Sequence, residues 1–597
     1  MSLEIRLLGA PRIEHDREAS SGPRGHKAWA LLAYLLLCRQ PPSRRRLAEL
    51  LFCEADDPLG ALRWSLAQLR QALGQPNSLR GDPVELSLEP GTEVDLFLLR
   101  SANLPEADEI DRFTGELLEG MSFSASPAFE AWLAIERRHH AAAAEGLLLE
   151  RAQAELGAGR PTVAASLATR LLELNPLEES HHEILVRSLV AAGDSNSALA
   201  RAQACEELLK RELGAPPLSR LREIVRAAER PAPATAVAGA AAARAQLEMG
   251  RAAIGAGAVD AGLDSLRRAC AAAEGCRDDY LHARAELALG SALIHAMRAY
   301  GEAAIALHRA VGLARRIGAN AIAATAHREL GFVDVQAGRN DRVEPWLTQA
   351  TEEAAGSDEE LTSIAGVRGM GLSDSARYEE ALEAFEESVE RARRCGHRRQ
   401  VAWSLSLIGR VHLLTGSHAQ AREVLDRSLE LVEEEKWIAF EPLPESLLAH
   451  VDLRENRAEE AREGLEHSFT IACQVADPCW EAIACRGLGL VEAASGREPR
   501  ALAWMLDART RCTRVAHPYQ WIQGWVLDGL CAVGHHDKRA ADWIDELESL
   551  ASRTGLRELL LRAYLHRARR GDPSAPDAAR LLGDEIDNPT VWSKEPT

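Results

Sequence analysis

The chain has 597 residues, of which 46% are hydrophobic and 27% charged, as in folded proteins of several domains. No apolar run approaches the roughly 20 residues that cross a bilayer, and the chain begins without a signal-peptide pattern, so we expect a cytoplasmic protein with no membrane contact. The net charge is −20, yet residues 20–80 hold nine basic and four acidic side chains. A basic segment on an acidic chain favours a small nucleic-acid-binding domain joined to a larger body.

Strands are predicted near both ends of the first hundred residues. Apolar side chains alternate with charged ones from Leu3 to Leu7, which indicates a half-buried strand, and Ile13 lies in a second short strand. Alternation returns at 84–88 and again at 93–96, with a turn between them. These last two segments predict a β-hairpin.

Three helices are predicted between these strands, at about 25–39, 44–54 and 58–73. The third helix is expected to begin after Asp56 or Asp57, with Pro58 in its first turn, and to end at Gly74. Its apolar stripe comprises Leu59, Leu62, Leu66, Leu69 and Leu73. Strands, three helices and a hairpin follow the order of a winged helix-turn-helix domain, in which the third helix enters the major groove.

The predicted DNA contacts lie on the third helix, at the start of the second helix and near the wing. Arginine pairs with guanine and glutamine with adenine in the major groove. An arginine cluster at a helix N-terminus favours a phosphate, although the same cluster also fits a solvated helix start. The predicted contacts are Arg44, Arg45, Arg46, Arg63, Ser65, Gln68, Arg70, Gln71 and Arg80.

Several segments of the first 228 residues resemble the SARP family of transcription regulators. Segments 44–57 and 61–73 resemble the family's DNA-binding domain, whose winged helix is similar to that of OmpR. The segments that resemble its bacterial transcriptional activation domain are Phe113-Thr-Gly-Glu-Leu-Leu, Phe129-Glu-Ala-Trp-Leu, Asn175-Pro-Leu-Glu-Glu and Glu212-Leu-Gly-Ala-Pro. The resemblance implies a promoter-binding protein that contacts RNA polymerase and, on repeated half-sites, acts as a homodimer.

The predicted fold is mainly α, with a winged helix-turn-helix domain and small β elements followed by a helical solenoid. Residues 1–100 form the winged helix, and residues 101–228 form the activation domain of helical hairpins. Residues 229–241 contain two prolines and are predicted as a linker. An array of about eight repeats is expected over residues 242–585, and residues 586–597 are expected to be a flexible tail.

The repeat pattern rests on a small residue that recurs every 38 to 41 residues. It occupies Gly250, Gly290, Gly331, Gly369, Gly409, Ala449, Gly489 and Gly529. In the first seven repeats a large apolar residue follows 16 or 17 positions later, and a small one three positions beyond that. Two helices pack closely where both present small side chains, and a large residue fills the gap beside the crossing. The pattern resembles a long form of the tetratricopeptide repeat (TPR).

One face of the first helix of each repeat is predicted to line the concave groove of the array. Its polar and aromatic residues are Arg284, Arg328, Trp403, Arg410, His450, Arg486 and Gln523. Four arginines on an acidic array predict an anionic ligand or an acidic peptide in the groove. Internal ion pairs and plain solvent exposure are the alternatives.

Motifs for catalysis are lacking in the sequence. There is no Gly-Lys dipeptide for a P-loop, no Gly-x-Ser-x-Gly and no Cys-x-x-Cys pair. We therefore expect no enzymatic activity, no cofactor and no metal. The sequence favours a sequence-specific transcriptional activator that binds double-stranded promoter DNA and senses an unknown ligand or protein on its array. The alternative is an interaction scaffold whose winged helix does not read DNA.

Overall fold

The computed structural model describes residues 3–16, 18–19, 22–99, 113, 115–213, 220–229, 239–515, 517–583 and 586–592. They form two compact units. The first consists of Met1–Ala144, Ser375–Arg377 and Leu527–Pro596, and the second of Glu145–Asp374 and Tyr378–Val526.

The first unit opens with a four-stranded sheet of order β3-β2-β1-β6 and a separate two-stranded pair, β4 and β5. The strands are β1 Leu3–Arg6, β2 Arg12–His15, β3 Glu18–Ala19, β4 Leu79–Arg80, β5 Glu85–Leu86 and β6 Glu93–Val94. Strand β1 runs antiparallel to β2, with Ile5 opposite Ile13, and parallel to β6. Leu3, Ile5 and Ile13 are buried, which confirms the predicted alternation.

The predicted hairpin between segments 84–88 and 93–96 is wrong. Strand β5 pairs with β4, where Leu79 lies opposite Leu86, while β6 pairs with β1. The turn between β4 and β5 contains Gly81 at φ +78°, a conformation that glycine adopts without steric cost. This turn brings β5 back onto the segment before it, which leaves the next strand free to extend the first sheet.

Asp95 fixes the end of the winged helix on the first strand. It lies at the start of the one-turn helix α4 (Asp95–Leu98), and its buried carboxylate accepts the N–H groups of Leu7 at 2.7 Å, Leu8 at 2.8 Å and Leu96 at 2.8 Å. Burial raises the pKa of Asp95 to about 6, while these hydrogen bonds act in the opposite direction. The carboxylate thus satisfies three buried donors at once.

Three helices pack between the strands: α1 His26–Leu37, α2 Arg44–Leu51 and α3 Pro58–Leu73. Both predicted ends of α3 are confirmed. Asp57 accepts the N–H of Gly60 at 2.8 Å, and Gly74 closes the helix at φ +64°. Four leucines of the predicted stripe are buried, but Leu59 is 49% exposed. The prediction that Leu59 belongs to the buried stripe is wrong, because Leu59 lies on the first turn of the helix and is not covered by the core.

The first unit is completed by the N-terminal part of α5 (Pro127–Gly157), the end of α24 (Gln520–Val533), and α25 Ala540–Thr554, α26 Arg557–Arg569 and α27 Ala575–Gly583. Two ion pairs tie α5 to these C-terminal helices. Arg557 contacts Glu136 at 2.8 Å, and Arg138 contacts Glu548 at 2.9 Å. Burial raises the pKa of Glu136, but Arg557 and His140 hold it below its usual value. The pair is therefore ionised at neutral pH.

The last described residues pack against α26. Asn588 is buried and donates through Nδ2 to Glu558 at 2.9 Å, and Val591 is buried as well. Residues 586–592 of the predicted tail are thus held on the first unit, and residues 593–597 lie outside the described residues. The same holds for residues 230–238 of the predicted linker.

The second unit is entirely helical over the residues that the structure describes. It contains the C-terminal part of α5, the N-terminal part of α24 and the helices between them. These are α6 Pro161–Leu174, α7 Glu179–Ala191, α8 Ser195–Leu213, α9 Arg220–Glu229, α10 Ala240–Gly255, α11 Val259–Cys276, α12 Asp279–Met297, α13 Tyr300–Ile317, α14 Asn320–Gln336, α15 Val343–Glu353, α16 Asp358–Asp374, α17 Tyr378–Cys395, α18 Arg398–Leu414, α19 His418–Glu434, α20 Pro442–Arg454, α21 Ala458–Val475, α22 Pro478–Ala494 and α23 Glu498–Cys512. A 3-10 turn, Asn340–Arg342, precedes α15.

The helices α10 to α23 pair consecutively as seven of the predicted hairpins. At six of these crossings the recurrent residue is a glycine that lies against the large residue of the second helix, and in the α20–α21 hairpin it is Ala449. A Cβ atom on Gly250 would lie 2.7 Å from Leu266, on Gly369 2.6 Å from Phe385, and on Gly409 2.5 Å from Leu425. These separations are shorter than any van der Waals contact. The predicted role of the small residue is therefore confirmed in these hairpins.

In three repeats, the small residue three positions after the large apolar one adds a hydrogen bond between the two helices of the hairpin. The hydroxyls of Ser388, Ser428 and Ser468 are buried and donate to the carbonyl oxygen 26 positions earlier, at 2.8, 2.8 and 2.9 Å. Because each bond joins the second helix to the start of the first, it fixes the register of the hairpin. A hydroxyl at this position is what distinguishes these three repeats from those with alanine.

Candidate nucleic-acid interface and repeat-array cavity

The side of α3 opposite its leucine stripe presents polar side chains to solvent. Arg63 is exposed, with its side chain 68% accessible, and Gln71 is exposed about two turns further along. Gln68 is half-buried on the same side of the helix. The guanidinium of Arg63 rests on the start of its own helix, where Nε donates to the Leu59 carbonyl at 3.3 Å and Nη2 lies 3.6 Å from Asp57 Oδ2. These contacts are weak and exposed, so the side chain is available to a partner.

Two residues of the predicted α3 interface have other positions or roles. Ser65 is only 2% exposed and is not available to a base, because it lies on the side of α3 that faces the core. Arg70 is half-buried and donates through Nε and Nη2 to the carbonyl of Leu79, at 3.1 and 2.8 Å. Arg70 thus holds strand β4 beside α3. We assign it this positioning role in place of the predicted base contact.

Trp64 was missed by the sequence reasoning. Its side chain is 53% exposed on α3, and it lines a cavity of about 540 Å³ together with Phe52, Phe123 and the basic segment Arg24–Lys27. The sequence feature that indicates its exposure is its position directly after Arg63, opposite the leucine stripe. An exposed tryptophan beside cationic side chains is suited to a flat or sugar-phosphate partner.

The start of α2 is partly occupied by side chains of the protein itself. The N–H of Arg46 donates to Ser43 Oγ at 3.2 Å, and the N–H of Arg44 donates to Asp82 Oδ1 at 2.8 Å. A carboxylate therefore fills part of the predicted phosphate position. Arg44 Nε donates to the carbonyl of Gly81 at 3.0 Å, so this arginine joins α2 to the turn between β4 and β5.

Two further predicted phosphate contacts remain exposed. Arg45 has an 88% accessible side chain and pairs with Glu49 one turn later at 2.8 Å. Arg80, at the end of β4, is exposed as well. A surface pair of this kind is held only weakly, so Arg45 can exchange its glutamate for a phosphate.

In the second unit, Arg410 is buried in a polar cluster. Its guanidinium donates to Asp374 at 2.9 Å, to Ser373 at 2.9 Å and to the Tyr519 hydroxyl at 3.0 Å, and it stacks over the ring of Trp521 at 4.3 Å. Burial raises the pKa of Asp374 to about 6, while Arg410 and Tyr519 lower it. The ion pair is therefore formed at neutral pH, and the arginine is not a free anion receptor.

Arg486 and His450 form a second buried cluster. Arg486 is fully buried, donates through Nε to the Trp525 carbonyl at 3.0 Å and stacks over the Trp525 ring at 3.9 Å. One of its Nη atoms lies 3.1 Å from His450 Nε2, while His450 Nδ1 lies 2.6 Å from the Ser446 carbonyl. Burial and the charge of Arg486 lower the pKa of His450 to about 3, so this ring is neutral and accepts from the arginine.

The other predicted groove residues lie in separate surroundings. Arg328 donates to Glu360 at 2.7 Å and to Glu329 at 3.2 Å. Burial raises the pKa of Glu329, but Arg328 and His295 together lower it to about 2. Arg284 is exposed and lies 5.9 Å from the Tyr280 ring. Gln523 is half-buried. Three of the four arginines are thus engaged within the protein. Arg328 and Arg410 pair with carboxylates, in agreement with the alternative of internal ion pairs. Arg486 is held by His450 and by the carbonyl and ring of Trp525.

The second unit contains a cavity of about 750 Å³ within the repeat array. Of the predicted groove residues, it is lined by Trp403 and Arg410. Most of the remaining wall is aromatic or aliphatic, including Phe332, Trp437 and Trp480. The helices contributing to this wall extend from α11 to the N-terminal part of α24, and the sequence pattern gave no sign that they would converge.

One group of described residues has the composition of a metal site. Glu441, Glu445 and His467 bring ligand atoms within 4.8 Å of one another. His467 is exposed and already lies 2.7 Å from a Glu445 carboxylate oxygen. An exposed ion pair accounts for this group, and we assign no metal to it. None of the helices that the structure describes is long and apolar enough to cross a membrane.

Comparison with known families identifies two segments of the chain. Residues 103–228 match the family described as the bacterial transcriptional activator domain, and residues 362–434 match a tetratricopeptide repeat. The chain contains a bacterial transcriptional activator domain. The resemblance of the chain to SARP-type regulators with a TPR array is thereby confirmed. No curated protein matches the chain.

Several solved structures are similar over part of the chain. A Rap protein complexed with Competence and Sporulation Factor is 14% identical and covers 51% of this chain and 87% of its own, with a TM-score of 0.41. NprR in complex with its cognate peptide NprX is 15% identical and covers 52% and 90%, with a TM-score of 0.41. Mycobacterium tuberculosis EmbR in complex with a low affinity phosphopeptide is 18% identical and covers 38% and 66%, with a TM-score of 0.32. Likeness at this level identifies no function.

The start of the activator domain packs directly on the winged helix within the first unit. The Trp132 ring lies 5.0 Å from that of Tyr34 in α1. Backbone hydrogen bonds join the N–H of Leu118 to the Leu7 carbonyl and the N–H of Gly9 to the Glu116 carbonyl, both at 2.9 Å. These contacts make the two parts one packed body, so that α3 is held in a fixed orientation to the start of the activator domain.

Proposed function

We propose that this protein is a sequence-specific transcription regulator that reads promoter DNA with α3 and acts by binding, not by catalysis. The observation that carries the proposal is the side of α3 opposite its leucine stripe, where Arg63 and Gln71 are exposed and Gln68 is half-buried. Arginine and glutamine are the side chains that pair with guanine and adenine in the major groove. The activator domain that follows supports a role in transcription.

Affinity for DNA is proposed to come mainly from phosphate contacts. Arg45 and Arg80 are exposed, and Arg45 is held only by a surface pair. Each phosphate neutralised by such a side chain releases counterions, so that affinity falls as salt rises. Arg70, through its hydrogen bonds to Leu79, fixes the distance between α3 and the β4–β5 wing and therefore the register on the duplex.

The activator domain is proposed to contact RNA polymerase once α3 has bound the promoter. Because it is packed on the winged helix through Trp132 and Leu118, the orientation of α3 on DNA also determines the face that the domain presents. Binding as a homodimer to repeated half-sites would add the specificity that one recognition helix lacks. The repeat array is proposed to sense a ligand or a protein partner.

The test uses variants of the full chain on a site that the protein selects from genomic fragments. Arg63→Ala is expected to weaken binding to that site by about 1–3 kcal/mol and to relax the preference at one base pair. Arg45→Ala is expected to weaken all sequences alike and to reduce the salt slope by about one. Arg12→Ala, which removes an exposed arginine from β2, is the matched control and should change neither.

The second candidate is an interaction scaffold in which the winged helix binds protein instead of DNA. It is favoured by the exposed apolar side chains Leu59 and Trp64 on the first turns of α3. If the scaffold is correct, Arg63→Ala leaves all DNA binding unchanged at fixed salt, and Trp64→Ala abolishes capture of a protein partner. A base-specific loss with Arg63→Ala would exclude it.

A further inference from the structure

The cavity of the repeat array has the size and the lining of a small-molecule site. Its volume of about 750 Å³ lies within the range of about 300–1,000 Å³ that is typical of such sites. Nine aromatic side chains contribute to the wall, among them Phe332, Trp403, Trp437, Phe440, Trp480 and Trp521. The rings of Trp437 and Phe440 stack on each other, with their centroids 4.3 Å apart. Flat ring faces of this kind favour a flat, apolar partner.

The charged groups on the wall are neutralised within the protein. Arg298 pairs with Asp477 at 2.7 Å, Arg410 with Asp374 at 2.9 Å and Arg514 with Glu481 at 3.0 Å. An anionic ligand would have to separate one of these pairs, and a buried charge left without its partner is costly. The wall therefore offers little to a ligand that carries a negative charge.

A cationic ligand is disfavoured for a different reason. The faces of Trp521 and Trp525 are already covered by the guanidinium groups of Arg410 and Arg486, at 4.3 and 3.9 Å. Two of the ring faces that could hold a cation are therefore already occupied. Because the protein supplies its own cations there, a second positive charge would be repelled.

We propose that this cavity binds a neutral, largely aromatic small molecule, which is the effector that the array senses. The regulatory role of this ligand rests on the proposed function, whereas its binding does not. Besides the aromatic wall, the site offers a polar anchor. Arg410 lines the cavity, and its buried Nε has no hydrogen-bond partner among the described residues. An uncharged acceptor on the ligand, such as a carbonyl or phenol oxygen, matches this donor.

The test compares two probes that differ by one charged group. N-phenyl-1-naphthylamine is neutral, and 8-anilino-1-naphthalenesulfonate adds a sulfonate to the same rings. The neutral dye is expected to bind the full chain with one saturable site per chain, at least tenfold more tightly than its sulfonate. Tetraphenylphosphonium, an aromatic cation, should not displace it. Dye fluorescence on titration is the readout.

Two variants locate the site. Ala439→Trp places a large ring at an exposed position on the cavity wall, and Ala419→Trp places the same ring at an exposed position on α19 outside it. The first should weaken dye binding at least tenfold and the second should not. Trp403→Ala, which enlarges the cavity and removes one ring face, should also weaken binding. Circular dichroism verifies that each variant keeps its helical content.

The outcomes separate this inference from the proposed function. Equal or tighter binding of the sulfonate would overturn the neutral-ligand inference, and so would dye binding that both cavity variants leave intact. Absence of dye binding together with saturable binding of extended peptides would overturn it in favour of a peptide groove. DNA binding is measured separately, so its failure would count against the proposed function alone.

Discussion

The crossing glycines of the repeat array allow the packing argument to be tested with a single methyl group. In Gly409→Ala, the new Cβ would lie 2.5 Å from Leu425 Cγ and 2.6 Å from Cδ2. Leu425 is completely buried, so it cannot turn into solvent to make room. The substitution therefore forces α18 and α19 apart or drives Leu425 out of its preferred rotamer.

Two opposing effects determine the size of the change. Alanine is the better helix former, and replacing a glycine in a helix interior gains about 1 kcal/mol. Overpacking a close contact of this kind costs about 1–3 kcal/mol. The net expectation is a loss of about 0–2 kcal/mol in the stability of the hairpin, because the cost of overpacking offsets or exceeds the gain in propensity.

The matched control is Gly312→Ala. Gly312 lies inside α13, is exposed and has no atom within 4 Å of an added Cβ. This variant should be more stable than the wild type by about 0.5–1 kcal/mol, because the propensity term acts alone. The two variants thus make the same chemical change in the same kind of helix and differ only in whether a crossing is present.

Hydrogen exchange of α18 and α19, together with urea unfolding followed by circular dichroism, measures the effect at the level of the hairpin. Exchange is informative here because stability in a repeat array is partly local. Gly409→Ala combined with Leu425→Ala should be less destabilised than the sum of the two single variants, since the new methyl group then occupies vacated space. Stabilisation of Gly409→Ala to the same extent as Gly312→Ala would refute the crossing argument.

Three further predictions follow from the buried polar groups. The pKa of His450 is lowered to about 3 in the folded state. The contribution of its neutral ring to the free energy of unfolding is therefore complete above pH 6.5 and falls by about 2 kcal/mol at pH 5. His450→Gln should remove that part of the acid sensitivity, as measured by urea unfolding at pH 7.5 and 5. Asp95→Ala leaves three buried N–H groups without an acceptor and should destabilise the first unit by at least about 2 kcal/mol, whereas Asp95→Asn should retain much of the stability. Arg70→Ala releases β4 from α3; DNA titration should show weaker binding with unchanged base preference, and an altered preference would contradict a purely positional role.

The parts of the fold that were predictable depend on contacts between near neighbours in the sequence. Asp57 and Gly74 mark the ends of α3 because caps act within one turn. The pairing of Gly409 with Leu425 was predictable because it repeats at a fixed interval along the chain. In both cases the physical requirement lies within a few residues or recurs often enough to be recognised.

The parts that were not predictable depend on contacts between distant residues. Arg410 has the spacing of a groove residue, but its partners Asp374 and Tyr519 are 36 and 109 positions away. No local pattern shows that these three side chains meet. The predicted wing failed for a related reason, since alternation shows where a strand lies and not which strand it pairs with. Ser65 was misplaced because the buried arc of α3 is wider than its leucine stripe.

The central claim is that α3 reads DNA, and selection from genomic fragments tests it most directly. The full chain is mixed with fragmented genomic DNA of its host at physiological salt, washed, and the retained fragments are sequenced. If α3 reads DNA, a few sites with a shared, repeated motif are enriched, and this enrichment is lost when Arg63, Gln68 and Gln71 are all replaced by alanine. Retention that is broad and salt-labile, or an enriched set that the triple variant leaves unchanged, would contradict this claim.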